Sequence, residues 1–340
     1  MASGPRSSRF RRTLLAALVA ASVAVPVSGA ARPAAVPAPA PPVLAPLTAV
    51  ALGPALDARY AANRDGIRAA ERMAANHGDR SRAFALRAME GATRHFLFFD
   101  GRGGGRTAEV FGDLARARRI AVLVPGSDTS LDRYGRFRTG ARALQKELGA
   151  GSAVIAWLGY GTPGTVSREA VTPGRAHEAA PQLNSFIREL RTAKPAARTA
   201  LLCHSYGSVV CALAAPGLPV SDIVLYGSPG TGVDSAADLR TRATVWAGRG
   251  DGDWIADVPH TRLRLPFTTI GFGPDPVSQE FGARPFDAGP GGHSDYLKPG
   301  SVSLRNLARI VAGKTGVSGN TGVAGKTGVS GQAPEAARHA

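Results

Sequence analysis

The sequence has little that would bind a metal ion, a dinucleotide or a nucleic acid. It holds 2 cysteines and 7 histidines in 340 residues, with no zinc-finger spacing and no dinucleotide-binding fingerprint. The net charge of +16 comes from scattered arginines, and no basic run is interleaved with aromatic residues. We therefore expect no cofactor and no nucleic-acid partner. Electrostatic association with an anionic cell envelope stays open.

The sequence also lacks an apolar run long enough for a comfortable transmembrane helix. The apolar run at residues 14–25 follows three arginines within residues 9–12 and precedes small residues at 28–30. This order is typical of a secretory signal peptide. We predict a signal over residues 1–30 and a secreted or envelope-associated protein. An uncleaved anchor is the alternative, and the export route, general or twin-arginine, is open.

Composition divides the rest of the chain into three parts. Residues 31–53 are rich in proline and alanine, which predicts an extended linker. Residues 54–312 carry the pattern of a folded domain. Residues 313–340 repeat a glycine-containing hexad, which predicts a flexible tail. The Gly-Lys-Thr triplets in that tail lack the glycine five positions earlier that a phosphate-binding loop requires.

Apolar strands alternate with helices across the domain. A helical segment over about 54–90, broken near residues 76–78, and a β-hairpin over 96–111 come first. Helical patterns then separate apolar runs, and the last helix includes Leu304, Leu307 and Val311. The predicted strands are 120–124, 153–157, 199–203, 223–226 and 243–246. This alternation predicts an α/β fold with a mostly parallel central sheet and helices on both faces.

One short segment resembles a nucleophile elbow, the strand–turn–helix motif G-x-S-x-G. An apolar strand leads into Cys203-His204-Ser205-Tyr206-Gly207, with cysteine in place of the first glycine. Small residues are needed two positions either side of the serine because bulk there would collide with the neighbouring strand or helix. The pattern predicts Ser205 as a nucleophile.

A serine nucleophile needs a base and an acid, and in this type of fold the acid follows the serine along the chain and the histidine comes last. Order and spacing leave His293, in the loop before the last helix, as the base. His204, next to the serine, should point away from its hydroxyl. The acid is Asp253 or Asp251. We favour Asp253, because the apolar pair after it can anchor the loop, and expect Asp251 to cap that loop.

The oxyanion of a tetrahedral intermediate needs two backbone N–H donors. Tyr206, directly after the nucleophile, should supply one. The loop that begins Val124-Pro125-Gly126 should supply the other, from Ser127. The alternative interpretation of that loop is an ordinary turn at the end of a strand.

Two cysteines in an exported protein raise the question of a disulfide. Cys203 would end a strand, and Cys211 would lie inside the next helix. We expect the elbow to direct the two side chains apart, and a bridge there to strain the turn that carries the nucleophile. Two buried free thiols are the favoured interpretation.

Three segments together resemble a family of α/β-hydrolases that is common in actinobacteria and long catalogued as a domain of unknown function. They are His204-Ser205-Tyr206-Gly207, Val124-Pro125-Gly126 and Gly292-His293-Ser294-Asp295-Tyr296. The resemblance covers about residues 55–312. It implies an α/β-hydrolase fold and a Ser-Asp-His hydrolase, and it implies little about substrate.

Three functions remain open on the sequence. The first is an exported serine hydrolase of a small-molecule or lipid ester. The second is an amidase or peptidase that uses the same three residues. The third is a non-catalytic envelope-binding protein on a hydrolase scaffold, because a fold alone does not prove activity. The sequence does not determine the oligomeric state.

Overall fold

A computed structural model of the protein describes residues 36–314. The predicted signal at 1–30 lies outside these residues, as do the first positions of the predicted linker and nearly all of the predicted tail. Leu47, near the end of the predicted linker, is buried, and its N–H donates to the carboxylate of Glu189 at 2.9 Å. Across residues 36–314, no helix combines the length and apolarity that a membrane span requires.

An eight-stranded sheet forms the centre of the domain, and a two-stranded hairpin lies apart from it. The strands, in chain order, are β1 His95–Asp100, β2 Arg106–Gly112, β3 Arg119–Val124, β4 Ser152–Leu158, β5 Arg198–His204, β6 Asp222–Tyr226, β7 Thr244–Gly248, β8 Leu263–Leu265, β9 Thr268–Ile270 and β10 Arg284–Pro285. The spatial order of the sheet is β1-β2-β4-β3-β5-β6-β7-β10. Strand β2 pairs antiparallel with both β1 and β4, and all other neighbours pair parallel. Strands β8 and β9 form the separate hairpin.

Helices cover both faces of the sheet. They are α1 Leu52–Asn76, α2 Arg80–Arg87, α3 Gly135–Leu148, α4 Gly174–Ala193, α5 Gly207–Ala214 and α6 Val302–Val311. Helices α4 and α5 pack on one face, α3 and α6 pack on the other, and the long α1 contributes to both. On strand β3, Val122 is buried on one face of the sheet and Leu123 on the other. Both faces of the sheet therefore have to be covered by helices.

The predicted elements are present, with longer or shifted ends. The helical segment does break near residues 76–78, where Gly78 has a φ of +84°. Helix α3 begins at Gly135, and its first turn carries no apolar periodicity that would place this end from the sequence. Strands β8, β9 and β10 have no counterpart among the predicted elements. These strands have two or three residues each and bury no side chain.

The expectation of two free thiols was wrong. Cys203 and Cys211 form a disulfide, with their Cα atoms 6.4 Å apart. The helix after the elbow packs back along β5, so its second turn brings Cys211 beside the end of the strand instead of directing it away. Both residues are fully buried. The bridge therefore ties the strand that precedes Ser205 to the helix that follows it.

Candidate active site

Ser205 lies in a strained turn between β5 and α5. Its φ is +52°, in the left-handed region that a non-glycine residue seldom adopts. The turn is held from both sides, because the Ser205 N–H donates to the Tyr226 carbonyl at 3.1 Å and its own carbonyl accepts from the Ser208 N–H at 2.9 Å. This geometry is that of a nucleophile elbow, with the hydroxyl presented at the tip of the strand.

The loop after β3 lies directly against the elbow. A side chain on Gly126 would place its Cβ 2.6 Å from the Ser205 Cβ, so only glycine allows this approach. The next residue is Ser127. Within residues 36–314, neither the Ser127 N–H nor the Tyr206 N–H has a hydrogen-bond partner. Both residues line the same groove as Ser205.

Two tyrosines fix the backbone around these N–H groups. The Tyr160 hydroxyl donates to the Pro125 carbonyl at 2.7 Å. The Tyr206 hydroxyl donates to the Thr172 carbonyl at 2.8 Å and accepts from the Ala176 N–H at 3.1 Å. Burial raises the pKa of the Tyr206 hydroxyl to about 12, so it remains a donor at all ordinary pH values. The loop after β3 and the elbow are thus both anchored by hydrogen bonds that reach outside them.

The structure brings Ser205, His293 and Asp253 together. His293 Nε2 lies 3.0 Å from Ser205 Oγ, and His293 Nδ1 lies 2.8 Å from Asp253 Oδ1. Ser205 and Asp253 are buried, and the His293 side chain is 13% exposed. An imidazole placed between a hydroxyl and a carboxylate in this way can accept the hydroxyl proton while the carboxylate holds its orientation.

Asp253 is held ionised by its hydrogen bonds. Burial raises the pKa of this carboxyl, but donors from His293, Tyr296 and the Ile255 N–H outweigh burial and bring the pKa below its ordinary value. The Ile255 contact, at 2.9 Å, also caps the helical turn that follows. Asp251 was expected to cap this loop, and that expectation was wrong: Asp253 performs the capping, while Asp251 is exposed.

Tyr296 has a structural role that was not predicted from the sequence. Its hydroxyl donates to Asp253 Oδ2 at 2.5 Å and accepts from the Gly250 N–H at 3.1 Å. It therefore joins the loop after β7 to the loop that carries His293. The signal in the sequence was its position in the Gly292–Tyr296 segment, which the resemblance included without assigning this residue a task.

His204 also belongs to the site. It packs against the imidazole of His293, with ring centroids 4.7 Å apart, and its Nε2 lies 2.8 Å from the His293 carbonyl oxygen. Burial, and next the neighbouring His293, lower the pKa of His204 to about 3. His204 is therefore neutral at pH 7 and supports the loop of His293 through a backbone hydrogen bond.

Gly227 gives these side chains room at the end of β6. It has a φ of +56°, and an added Cβ would lie 2.9 Å from Asp253 Oδ2 and 3.2 Å from His293 Nδ1. A side chain there would displace both Asp253 and His293. A lone glycine after an apolar strand carries no signal in the sequence that distinguishes it from an ordinary turn.

Ser205 and His293 open into a groove of about 1980 Å³. The loop at 159–174 contributes part of its wall. Most of the lining is apolar, and includes Phe137, Val171, Trp254, Ile255, Leu263 and Ile270. A site of this composition suits a substrate with a large apolar part.

Comparison with protein families finds a family of alpha/beta hydrolases. The model of the family Abhydrolase_8, described as alpha/beta hydrolase, matches residues 100–263. The uncharacterized protein Rv2079 of Mycobacterium tuberculosis is 29% identical over 248 residues, which are 62% of this chain and 37% of that protein. The uncharacterized protein Mb0988c of Mycobacterium bovis is 35% identical over 143 residues, 38% of this chain and 53% of that protein. The chain thus spans only part of the length of these relatives.

Solved structures with similar chains include hydrolases. A serine hydrolase without a lid from Xanthomonas campestris is 18% identical, covering 66% of this chain and 95% of its own, with a TM-score of 0.43. Esterase LipW from Mycobacterium marinum is 13% identical, covering 72% of this chain and 88% of its own, with a TM-score of 0.39. From the sheet order and the family match, we conclude that this chain has an α/β-hydrolase fold.

Proposed function

We propose that the protein is a serine hydrolase that cleaves a carboxylic ester through an acyl-enzyme. The observation that carries the proposal is the continuous contact from Ser205 through His293 to Asp253, at 3.0 Å and 2.8 Å, beside two backbone N–H groups that have no partner within residues 36–314. Nucleophile, base, orienting acid and oxyanion donors are the parts that acyl transfer requires.

The geometry supports the following sequence of steps. Ser205 Oγ attacks the ester carbonyl carbon, and its proton passes to His293 Nε2. The carbonyl oxygen becomes an oxyanion, which the N–H groups of Ser127 and Tyr206 stabilise. The intermediate then expels the alcohol, which takes the proton from His293. Asp253 remains a carboxylate throughout and stabilises the imidazolium.

Water completes the cycle. A water molecule gives a proton to His293 Nε2 and attacks the acyl carbon on Ser205, forming a second oxyanion in the same place. Collapse of this intermediate releases the carboxylic acid and returns the proton to Ser205. The groove is open beside Ser205, so water can reach the acyl group without movement of a large element.

The lining of the groove favours an apolar acyl or lipid ester. Large apolar side chains surround the serine, and burying an acyl chain against them is favourable by roughly 0.8 kcal/mol for each methylene. Export and envelope association remain proposals that rest on the basic and apolar pattern of residues 1–30.

A panel of p-nitrophenyl esters and p-nitroanilides of matched acyl chains tests the proposal. We expect hydrolysis of the esters, with kcat/KM rising with acyl length, and no Ser205→Ala turnover above background. Faster cleavage of anilides than of esters would show that the protein is an amidase and not an esterase. Ester turnover that survives in Ser205→Ala would remove Ser205 from the mechanism.

A further inference from the structure

The hairpin β8–β9 projects from the domain beside the mouth of the groove. Every residue from Leu263 to Ile270 except Thr269 is exposed, and Phe267 at the tip is 100% exposed. Soluble proteins seldom leave several large apolar side chains together in water unless that surface binds something.

The pairing of the two strands separates the hairpin into two faces. Leu263 lies opposite Ile270 and Leu265 opposite Thr268, so the leucines and Ile270 share one face. Leu263 and Ile270 also line the groove, which shows that this face continues into the candidate active site. Arg264 lies on the other face, opposite Thr269.

The base of the hairpin is held firmly although its tip is not covered. The guanidinium of Arg262 pairs with the Asp234 carboxylate at 2.7 Å and 2.9 Å. The Gly271 N–H donates to the carbonyl of Val171 at 2.8 Å, which attaches the hairpin to the neighbouring turn Arg168–Val171. Val171 is itself exposed and apolar, so it extends the apolar face of the hairpin.

The hairpin itself is positively charged. Residues 263–270 contain one charged side chain, that of Arg264, whereas Arg262 at the base is neutralised by its pair with Asp234. Within the part of the chain that the structure describes, the guanidinium of Arg264 has no ion pair or hydrogen bond. An exposed arginine beside apolar side chains is suited to a surface with anionic groups above an apolar layer.

We propose that the hairpin is a docking element for an anionic phospholipid surface. Phe267 and the leucine face enter the boundary between headgroups and acyl chains, and Arg264 meets the lipid phosphates. Each strand of the hairpin has three residues, whereas a standard protein interface takes roughly 20–30 residues from each partner. This difference favours a lipid surface over a second copy of the chain. Docking requires no catalysis, so it is tested apart from the proposed function.

The first test places a fluorescent reporter at the tip. Phe267→Trp is made in the full chain, in a Ser205→Ala background that cannot consume lipid, and mixed with phosphatidylglycerol vesicles that carry brominated acyl chains. The matched control is Phe84→Trp, because Phe84 is also an exposed phenylalanine (77%), on helix α2. We expect bromine to quench the added fluorescence at position 267 but not at position 84. Vesicle binding by the whole chain would not identify the hairpin, because residues 14–25 are also apolar. A reporter at the tip shows whether the hairpin itself enters the lipid.

The second test measures partitioning onto vesicles. Phe267→Ser should weaken binding to phosphatidylglycerol vesicles about tenfold to a hundredfold relative to Phe84→Ser, the effect of keeping one phenylalanine in water. Arg264→Gln should weaken it about fivefold and leave binding to phosphatidylcholine vesicles unchanged.

Two results would overturn the proposal. In the first, the Phe267→Trp reporter is quenched no more than the Phe84→Trp reporter, which would show that the tip does not enter the lipid. In the second, the chain does not bind vesicles but forms a dimer, and Phe267→Ser dissociates this dimer whereas Phe84→Ser does not. That outcome would make the hairpin a contact between two copies of the chain.

Discussion

The two halves of the candidate site are built in different ways. The half that carries the nucleophile is made of backbone at the ends of the neighbouring strands β3 and β5, where Gly126 touches Ser205. The half that carries Asp253 and His293 is made of two loops, joined by the side chain of Tyr296. Added atoms should therefore damage the first half, whereas the second half should also be sensitive to the removal of hydrogen bonds.

The largest effect is expected in the acid–base half. Asp253→Asn keeps the shape of the side chain but removes the charge that orients His293 and stabilises its protonated form. We expect kcat to fall by about four orders of magnitude. Asp251→Asn, two residues away and exposed, is the matched control and should keep near-normal kcat. A loss of kcat in Asp251→Asn but not in Asp253→Asn would show that Asp251 is the acid.

The next largest effect is expected in the nucleophile half. Gly126→Ala adds one carbon that would sit 2.6 Å from the Ser205 Cβ, so the loop with the Ser127 N–H must move. Loss of one oxyanion donor lowers kcat by about 10²–10³-fold. Gly161→Ala, at a position with no atom within 4 Å of the added carbon, controls for the loss of glycine. Equal kcat for the two variants, with equal melting temperatures, would contradict this role of the loop.

A smaller effect is expected on the stability of the half that Tyr296 joins. Tyr296→Phe removes the hydroxyl that bridges Asp253 Oδ2 and the Gly250 N–H. We expect the free energy of unfolding to fall by about 1–3 kcal/mol in urea titrations, the cost of leaving a buried polar group unsatisfied. Tyr226→Phe is the control, because within residues 36–314 the Tyr226 hydroxyl makes no hydrogen bond. A loss no greater than that of Tyr226→Phe would show that Tyr296 does not join the loops.

The last prediction concerns the pH dependence of stability. His204 has its pKa lowered to about 3 in the fold, against about 6.5 in an unfolded chain, so the unfolded state binds a proton that the folded state does not. Its contribution to stability is complete above pH 6.5 and is lost as the pH falls toward 3, by at most about 1.4 kcal/mol per pH unit.

His204→Gln tests this dependence. Glutamine can still donate a hydrogen bond to the His293 carbonyl but does not titrate. Melting temperatures measured between pH 7 and pH 4 should fall less steeply in His204→Gln than in the wild type. Parallel curves would show that the folded protein also protonates His204 in this range.

The same contrast explains what could be predicted from the sequence. The elbow is local, so the residues around Ser205 predicted its turn, and the continuous apolar runs predicted a mostly parallel sheet. The disulfide was missed because it depends on how α5 packs back along β5, which no short segment encodes.

In the acid–base half, the sequence predicted the residues but not the contacts that hold them. Chain order selected His293 and Asp253, and the structure brings both to Ser205. The hydrogen bonds that Tyr296 and His204 make to hold them join residues 43 to 89 positions apart. Long-range contacts of this kind have no periodic signature in a single sequence. The hairpin was missed for another reason, since exposed strands lack the buried face that produces alternation.

Labelling with a fluorophosphonate probe tests the central claim most directly, because the probe forms a covalent bond only with a serine activated as a nucleophile. Peptide mapping of the labelled full chain should find the phosphonate on Ser205, with no adduct in Ser205→Ala and much slower labelling in His293→Ala. A folded wild-type chain that takes up no probe, or an adduct that persists in Ser205→Ala, would contradict the account.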